Sequence, residues 1–224
     1  MTPPASRIIL VHGIGRTRLS MWRLARLLRR AGMTTELFGY VAALESFDKI
    51  VRRLTERIAR EADDHYVVIG HSLGGLLLRA ALAKLSADAP RPRRVIMLGT
   101  PNHSPRLARR FGAALWYRLI NGDAGALLAD EERIARIPPP LDPVTIIAGT
   151  HGITGRWSPF GHDANDGIVA VDETRLGGAE WIAVRARHPF MMNSPRVREL
   201  VRERCGVSDG GLARHPCDDP TIEP

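Results

Sequence analysis

The chain of 224 residues contains two cysteines, Cys205 and Cys217, both near its C-terminal end. Two thiols cannot build a disulfide framework, and no cluster has the spacing of a structural zinc site. A disulfide between the two stays open, and two free thiols in a reducing compartment are the expectation. Lysine is equally scarce: of 32 basic residues only Lys49 and Lys84 are lysine, and the rest are arginine. No apolar run reaches the roughly 20 residues that a bilayer span requires. The opening stretch MTPPASRIILVHG lacks a basic region followed by a long apolar core. No secretory leader is read there, and the cytoplasm is the expected location.

The formal net charge is +8. The arginines are scattered through RLARLLRR, VRRLTER, RPRR, RLARR and RVRELVRER, beside Leu, Ile and Val at helical spacing. Such runs read as solvated helix faces. No nucleic-acid motif accompanies them, so nucleic acid is not an expected partner. Weak association with an anionic membrane surface is the remaining use of the charge, and it would fall steeply with salt. Nothing in the pattern fixes an oligomeric state.

Apolar, β-rich runs alternate with helical patterns along the chain. Strands are predicted over Arg7–His12, Thr34–Tyr40, Tyr66–Gly70, Arg94–Leu98, Val144–Ala148 and Trp181–Val184. Helices are predicted over Ser20–Ala31, Ser46–Ala62, Leu73–Leu85, Arg106–Leu119 and Arg196–Arg204. Strand then helix, repeated, predicts an α/β fold: a mostly parallel sheet of about six strands with helices on both faces. Residues 1–206 read as one domain. The segment 113–140 holds a helix, a Gly-Asp-Ala-Gly interruption, a second short helix and IPPP. It fits a small cap over a site, or a crossover helix with a trailing loop. The Gly-, Asp- and Pro-rich segment 207–224 is expected to be flexible.

Chemistry is suggested first by IGHSLGG at residues 69–75. A G-x-S-x-G stretch means little alone; it needs a strand entering and a helix leaving. YVVIG enters and LGGLLLRAALAKL leaves. A sharp strand-to-helix turn leaves almost no room beside the serine, which accounts for Gly70 and Gly74 and lifts Ser72 to the sheet's carboxyl edge. A nucleophilic serine needs donors for the oxyanion of its tetrahedral intermediate. The amide of Leu73 is one candidate. IILVHGIG supplies the other, Ile14, with Gly13 and Gly15 letting the backbone approach and His12 ordering the loop.

The general base must be a histidine oriented by a carboxylate. In the chain order expected after such an elbow, His188 in VRARHPFMMNSPRV is the base and Asp166 in NDGIV the acid. His71 is expected to project away from Ser72, and His103 comes too early. His151 and His162 stay open as bases, and Asp163 stays open as the acid. Asp142 precedes its strand and Asp172 lies too far along. A metal site built from His151, His162, Asp163 and Asp166 has irregular spacing, and no metal is expected. Trp116, Trp157, Phe160 and Phe190 are candidates for an apolar acyl pocket, though each also suits a core.

On LVHGIG, IGHSLGG, LGTPNHSP, NDGIVAVDETRL and HPFMMNSPRV, the chain resembles the α/β-hydrolase superfamily, specifically small bacterial triacylglycerol-lipase-like esterases. The resemblance spans about Arg7 to Cys205. It implies Ser72, Asp166 and His188 as a triad, Ile14 and Leu73 as oxyanion donors, and the Gly99-Thr100-Pro101 turn near the acyl site. It further implies hydrolysis of small acyl esters or lipids without a cofactor; acyltransferase or thioesterase chemistry would use the same residues. Segment 113–140 is longer than in the smallest lidless lipases, and the arginine content is no part of the pattern.

Overall fold

Alternation within the strands decides the architecture. In the computed structural model, which describes residues 5–61, 65–112 and 114–207 (115–120 by backbone alone), six strands form one sheet. They are β1 (Arg7–Val11), β2 (Thr34–Phe38), β3 (Tyr66–His71), β4 (Arg94–Leu98), β5 (Val144–Gly149) and β6 (Glu180–Val184). Their order is β2-β1-β3-β4-β5-β6, and every pair is parallel. Ile8 and Leu10 point into one core with Val67, Ile69, Ile96, Leu98 and Ile147. Ile9 and Val11 point into the other with Val68, Val95, Met97 and Ile146. A strand with both faces covered needs apolar residues at every position, and β3 is buried throughout.

The first core is closed by α1 (Trp22–Arg30) and α7 (Pro195–Arg204), which contribute Leu24, Leu28, Val197 and Leu200. The second is closed by α2 (Phe47–Glu61) and α3 (Leu73–Ala83), with Leu54, Ile58, Leu76 and Leu77. Each such side chain taken from water contributes roughly 1.5–3 kcal/mol. Helix α3 is buried on all sides from Leu73 to Leu82. Its one charge, Arg79, donates to Asn102 Oδ1 at 3.0 Å and to the carbonyls of Ile137 and Pro138. Burial pulls its pKa down to about 10, and the bonds tie the segment before β5 to the loop after β4.

The strands form within two residues of their predicted ends. The helix predicted over Arg106–Leu119 is instead two, α4 (Arg106–Phe111) and α5 (Leu115–Leu128), followed by α6 (Glu131–Ala135). A Cβ at Gly112 would stand 2.5 Å from that of Ala129, so the chain turns there under tight packing. The predicted Gly-Asp-Ala-Gly interruption is a kink inside α5: Gly122 adopts φ 57°, close against the Ala42 carbonyl, and the helix resumes. No described helix is long and apolar enough to cross a membrane. Cys205 is buried, which pushes its thiol up to about 12. Cys217 and residues 208–224 lie outside the described residues.

Candidate active site

Strand β1 is hydrogen-bonded to β2 on one side and to β3 on the other. The loops leaving β1 and β3 therefore diverge at a topological switch point, where open α/β sheets form a crevice. Ser72 ends β3 and caps α3. Its φ of 54° and ψ of −124° make it the only non-glycine with positive φ among the described residues. Strain of this kind, of order 1–3 kcal/mol, persists only where the surroundings over-determine it. The glycines show how. A Cβ at Gly70 would lie 2.5 Å from the Gly75 nitrogen, and one at Gly74 would lie 2.4 Å from the Val11 carbonyl oxygen. A third glycine is as constrained: at Gly75 a Cβ would meet Thr100 Oγ1 at 2.0 Å. The Ser72 amide donates to the Leu98 carbonyl at 2.9 Å, which fixes the turn to β4.

The β1 loop packs directly on this turn. A Cβ at Gly13 would stand 2.9 Å from His71 Nδ1 and 3.0 Å from Ser72 Cβ. His12 stacks on Tyr40 at 4.2 Å, contacts the Gly13 carbonyl through Nδ1 at 2.9 Å and receives the Tyr40 amide at Nε2. Burial lowers its pKa, only partly offset by the bond to Gly13. The ring holds the loop, as its neighbours in sequence suggested. Leu73 is the first residue of α3, so its amide has no carbonyl one turn back to bond. Ile14 lines the same cavity as Ser72.

Asp166 and His188 arrive from the other end of the sheet. The Asp166 carboxylate is buried; Oδ1 accepts from the Ile168 and Val169 amides at 3.0 and 2.7 Å. Oδ2 pairs with His188 Nδ1 at 2.6 Å, and the His188 amide donates to the Asp166 carbonyl at 2.9 Å. With Nδ1 engaged, Nε2 is the ring nitrogen left for the cavity that His188 lines with Ser72. Gly99, at φ 55°, keeps the space behind the pair open: a Cβ there would lie 3.1 Å from both Asp166 Oδ2 and His188 Nδ1. The rival acid Asp163 is exposed and bound to Arg106, as is Asp172, while Asp142 pairs with Arg91. Among the described residues no three His, Cys, Asp or Glu side chains gather where they could hold a metal ion.

The cavity holds about 380 Å³. Its walls are mainly carbon: Pro101 and Pro105 after β4, Leu107, Ala108 and Phe111 of α4, Leu128 of α5, and Ile168 and Val169 beside Asp166. The predicted pocket aromatics are not among them. Trp157 is 86 % exposed under the Arg156 guanidinium, on a loop closed by the Gly155 amide bonding the Gly161 carbonyl. Phe160 is buried elsewhere. Phe190 is 60 % exposed, although its neighbour Pro189 does line the cavity. The side chain of Trp116 lies outside the described ones.

His71 also departs from expectation. It lines the cavity, its ring lies 4.9 Å from that of His188, and its Nε2 meets the His188 carbonyl at 3.0 Å. Complete burial, then the neighbouring His188, hold its pKa well below 6.5. Glu173 was not anticipated at all. This buried carboxylate accepts from the Arg106 and Ala170 amides, each at 2.8 Å, and its carbonyl accepts from Asn102 and His103. It pins the loop carrying Asp166 to the loop after β4. Burial raises its pKa, against the pull of those amides.

A parallel sheet covered on both faces, with a strained serine turn at its switch point, defines a class, and sequence comparison agrees. The chain belongs to the alpha/beta hydrolase family, whose model matches residues 8–217. No curated protein matches it significantly. Among solved structures, it is similar to the mature lipase BlEst2 of Bacillus licheniformis (20 % identity, 90 % of this chain and 92 % of that one, TM-score 0.66). It is also similar to the metagenomic carboxyl esterase MGS0156 (17 %, 92 % and 76 %, 0.68). A third is the Vlm2 thioesterase domain (20 %, 91 % and 94 %, 0.55). At these identities the likeness is one of fold.

Proposed function

We propose that the protein is a serine hydrolase of carboxylic esters, acting on small acyl esters or lipids through an acyl-enzyme. The observation that carries this reading is Ser72, held at positive φ in the wall of the cavity that His188 enters from its 2.6 Å bond to Asp166. Ser72 Oγ attacks the acyl carbonyl while His188 Nε2 takes its proton. The amides of Ile14 and Leu73 donate to the oxyanion. His188 then protonates the leaving alcohol, and a water repeats the sequence to free the acid. Asp166 keeps the proton of the neutral imidazole on Nδ1, leaving Nε2 basic. The segment from α4 to α6 acts as the cap that closes the acyl site with carbon.

A fluorophosphonate probe on wild type and Ser72→Ala, followed by p-nitrophenyl esters of increasing chain length, tests this. Wild type is labelled and turns over a chain-length optimum; Ser72→Ala does neither. An unlabelled wild type that hydrolyses none of the series overturns the reading. Thioesters belong in the same series, because the same groups would act on them.

A further inference from the structure

Among the described residues, the carbon-lined cavity contains one full-time cation. Arg16 lies two residues beyond Ile14, after Gly15 turns the chain at φ 66°. It is half-buried, and among the described residues it has neither an ion pair nor a hydrogen bond. An arginine surplus leaves other guanidiniums without partners, but those on α1, such as Arg23 and Arg30, stand on exposed faces where water solvates them. Arg16 instead borders an apolar space beside the groups assigned to acyl chemistry. After burial and His188, its charge is among those that keep His71 neutral. Among the described residues no carboxylate lines the cavity beside Arg16, and Asp166 is turned onto His188 and two amides.

A guanidinium has five donors, no acceptor, and a fork that fits a carboxylate bidentately. Unpaired at the edge of a low-dielectric cavity, it attracts an anion more strongly than a surface arginine does. We propose that Arg16 is a specificity-determining residue, selecting esters that carry a carboxylate on the acyl or the alcohol portion. This rests on the reading of Ser72 as the nucleophile. The net charge of +8 favours approach of the same substrates.

The test compares kcat/KM for phenyl hexanoate, monophenyl adipate and 4-carboxyphenyl hexanoate in wild type, Arg16→Gln and Arg16→Lys. The anionic-to-neutral ratio in wild type exceeds that in Arg16→Gln by about ten-fold or more for one of the two anionic esters. Which ester responds tells the acyl side from the alcohol side. Arg16→Lys keeps part of the preference as a point charge, and added salt erodes it. Ratios identical in wild type and Arg16→Gln for both esters overturn the proposal. Binding of monophenyl adipate to Ser72→Ala and to the Ser72→Ala/Arg16→Gln double variant decides the question without turnover. 4-Carboxyphenyl hexanoate is titrated in the same way, and binding of either ester that needs Arg16 supports the proposal even if no ester is hydrolysed, which would sink the hydrolase reading alone; equal binding of both overturns it.

Discussion

The β3–α3 turn and the loop around Asp166 bring Ser72 and the Asp166-bound His188 to one cavity by opposite means. The turn is held by exclusion: Gly70, Gly74 and Gly75 sit where any Cβ would strike other atoms within 2.0–2.5 Å, and Ser72 has nowhere else to go. The Asp166 loop is held by attraction, through amides that converge on the carboxylates of Asp166 and Glu173. Steric confinement fails all at once, because backbone cannot yield to an added methyl group. A hydrogen-bonded loop fails by degrees. One region is therefore built for a fixed strain, and the other for a fixed orientation of a proton.

The comparison is sharpest in Asp166→Asn, which preserves the shape of the loop and removes the orientation. Its carbonyl can still accept from Ile168 and Val169, but an NH₂ then faces His188 Nδ1 and imposes the wrong tautomer. Turnover of the best ester falls by about 10³–10⁴-fold with little change in melting temperature. A wild-type rate, with loss instead in Asp163→Asn, would move the acid. Next comes Gly74→Ala, which drives a methyl group into the Val11 and His12 carbonyls and lowers stability by about 4 kcal/mol or more in denaturant titration. Melting within a few degrees of wild type would mean that the turn is not sterically closed.

Smaller effects probe the polar side. Glu173→Gln turns a donor toward one of two buried amides and lowers stability by about 1–3 kcal/mol, with a weaker loss of turnover than Asp166→Asn. His71, its pKa lowered by burial, binds its proton less readily when folded than when unfolded at 6.5. Its contribution is thus complete above about pH 6.5 and is lost as pH falls toward the folded value, by at most about 1.4 kcal/mol per pH unit. His71→Gln flattens that slope in titrations at successive pH values, leaving the share of His12. An unchanged slope would exonerate His71. Trp157→Ala does least: stability stays within about 0.5 kcal/mol and chain-length preference is unaltered, as for an exposed side chain outside the cavity.

The same contrast explains what was legible in the sequence. Confinement by glycine has one solution, so IGHSLGG between a strand and a helix announces its geometry, and the six strands follow from apolar runs that two covered faces demand. Attraction has many solutions. Nothing in NDGIVAVDETRL tells Glu173, with its two amides, from Asp172, which faces solvent and Arg106. Nor does sequence order say that His71 turns back under His188 rather than away. The aromatic residues misled for a related reason: tryptophan and phenylalanine suit a pocket, a core or a solvated loop alike. The cavity is walled instead by prolines and by Leu107, Ala108, Phe111 and Leu128 of α4 and α5, whose break at Gly112 depends on Ala129, a contact no local pattern encodes.

The all-parallel order of the sheet has a consequence in folding kinetics. No two neighbouring strands can zip together as a hairpin; β1 must find β3 across the whole of α1, β2 and α2, pairing Arg7 with Tyr66. Loop-closure entropy is spent before those contacts return anything, which slows such topologies relative to helical bundles. The pairing that is slow to form also brings the Ile14 loop against Ser72. Recovery of the proposed hydrolase activity after dilution from denaturant should therefore lag helix formation and coincide with closure of the sheet's centre.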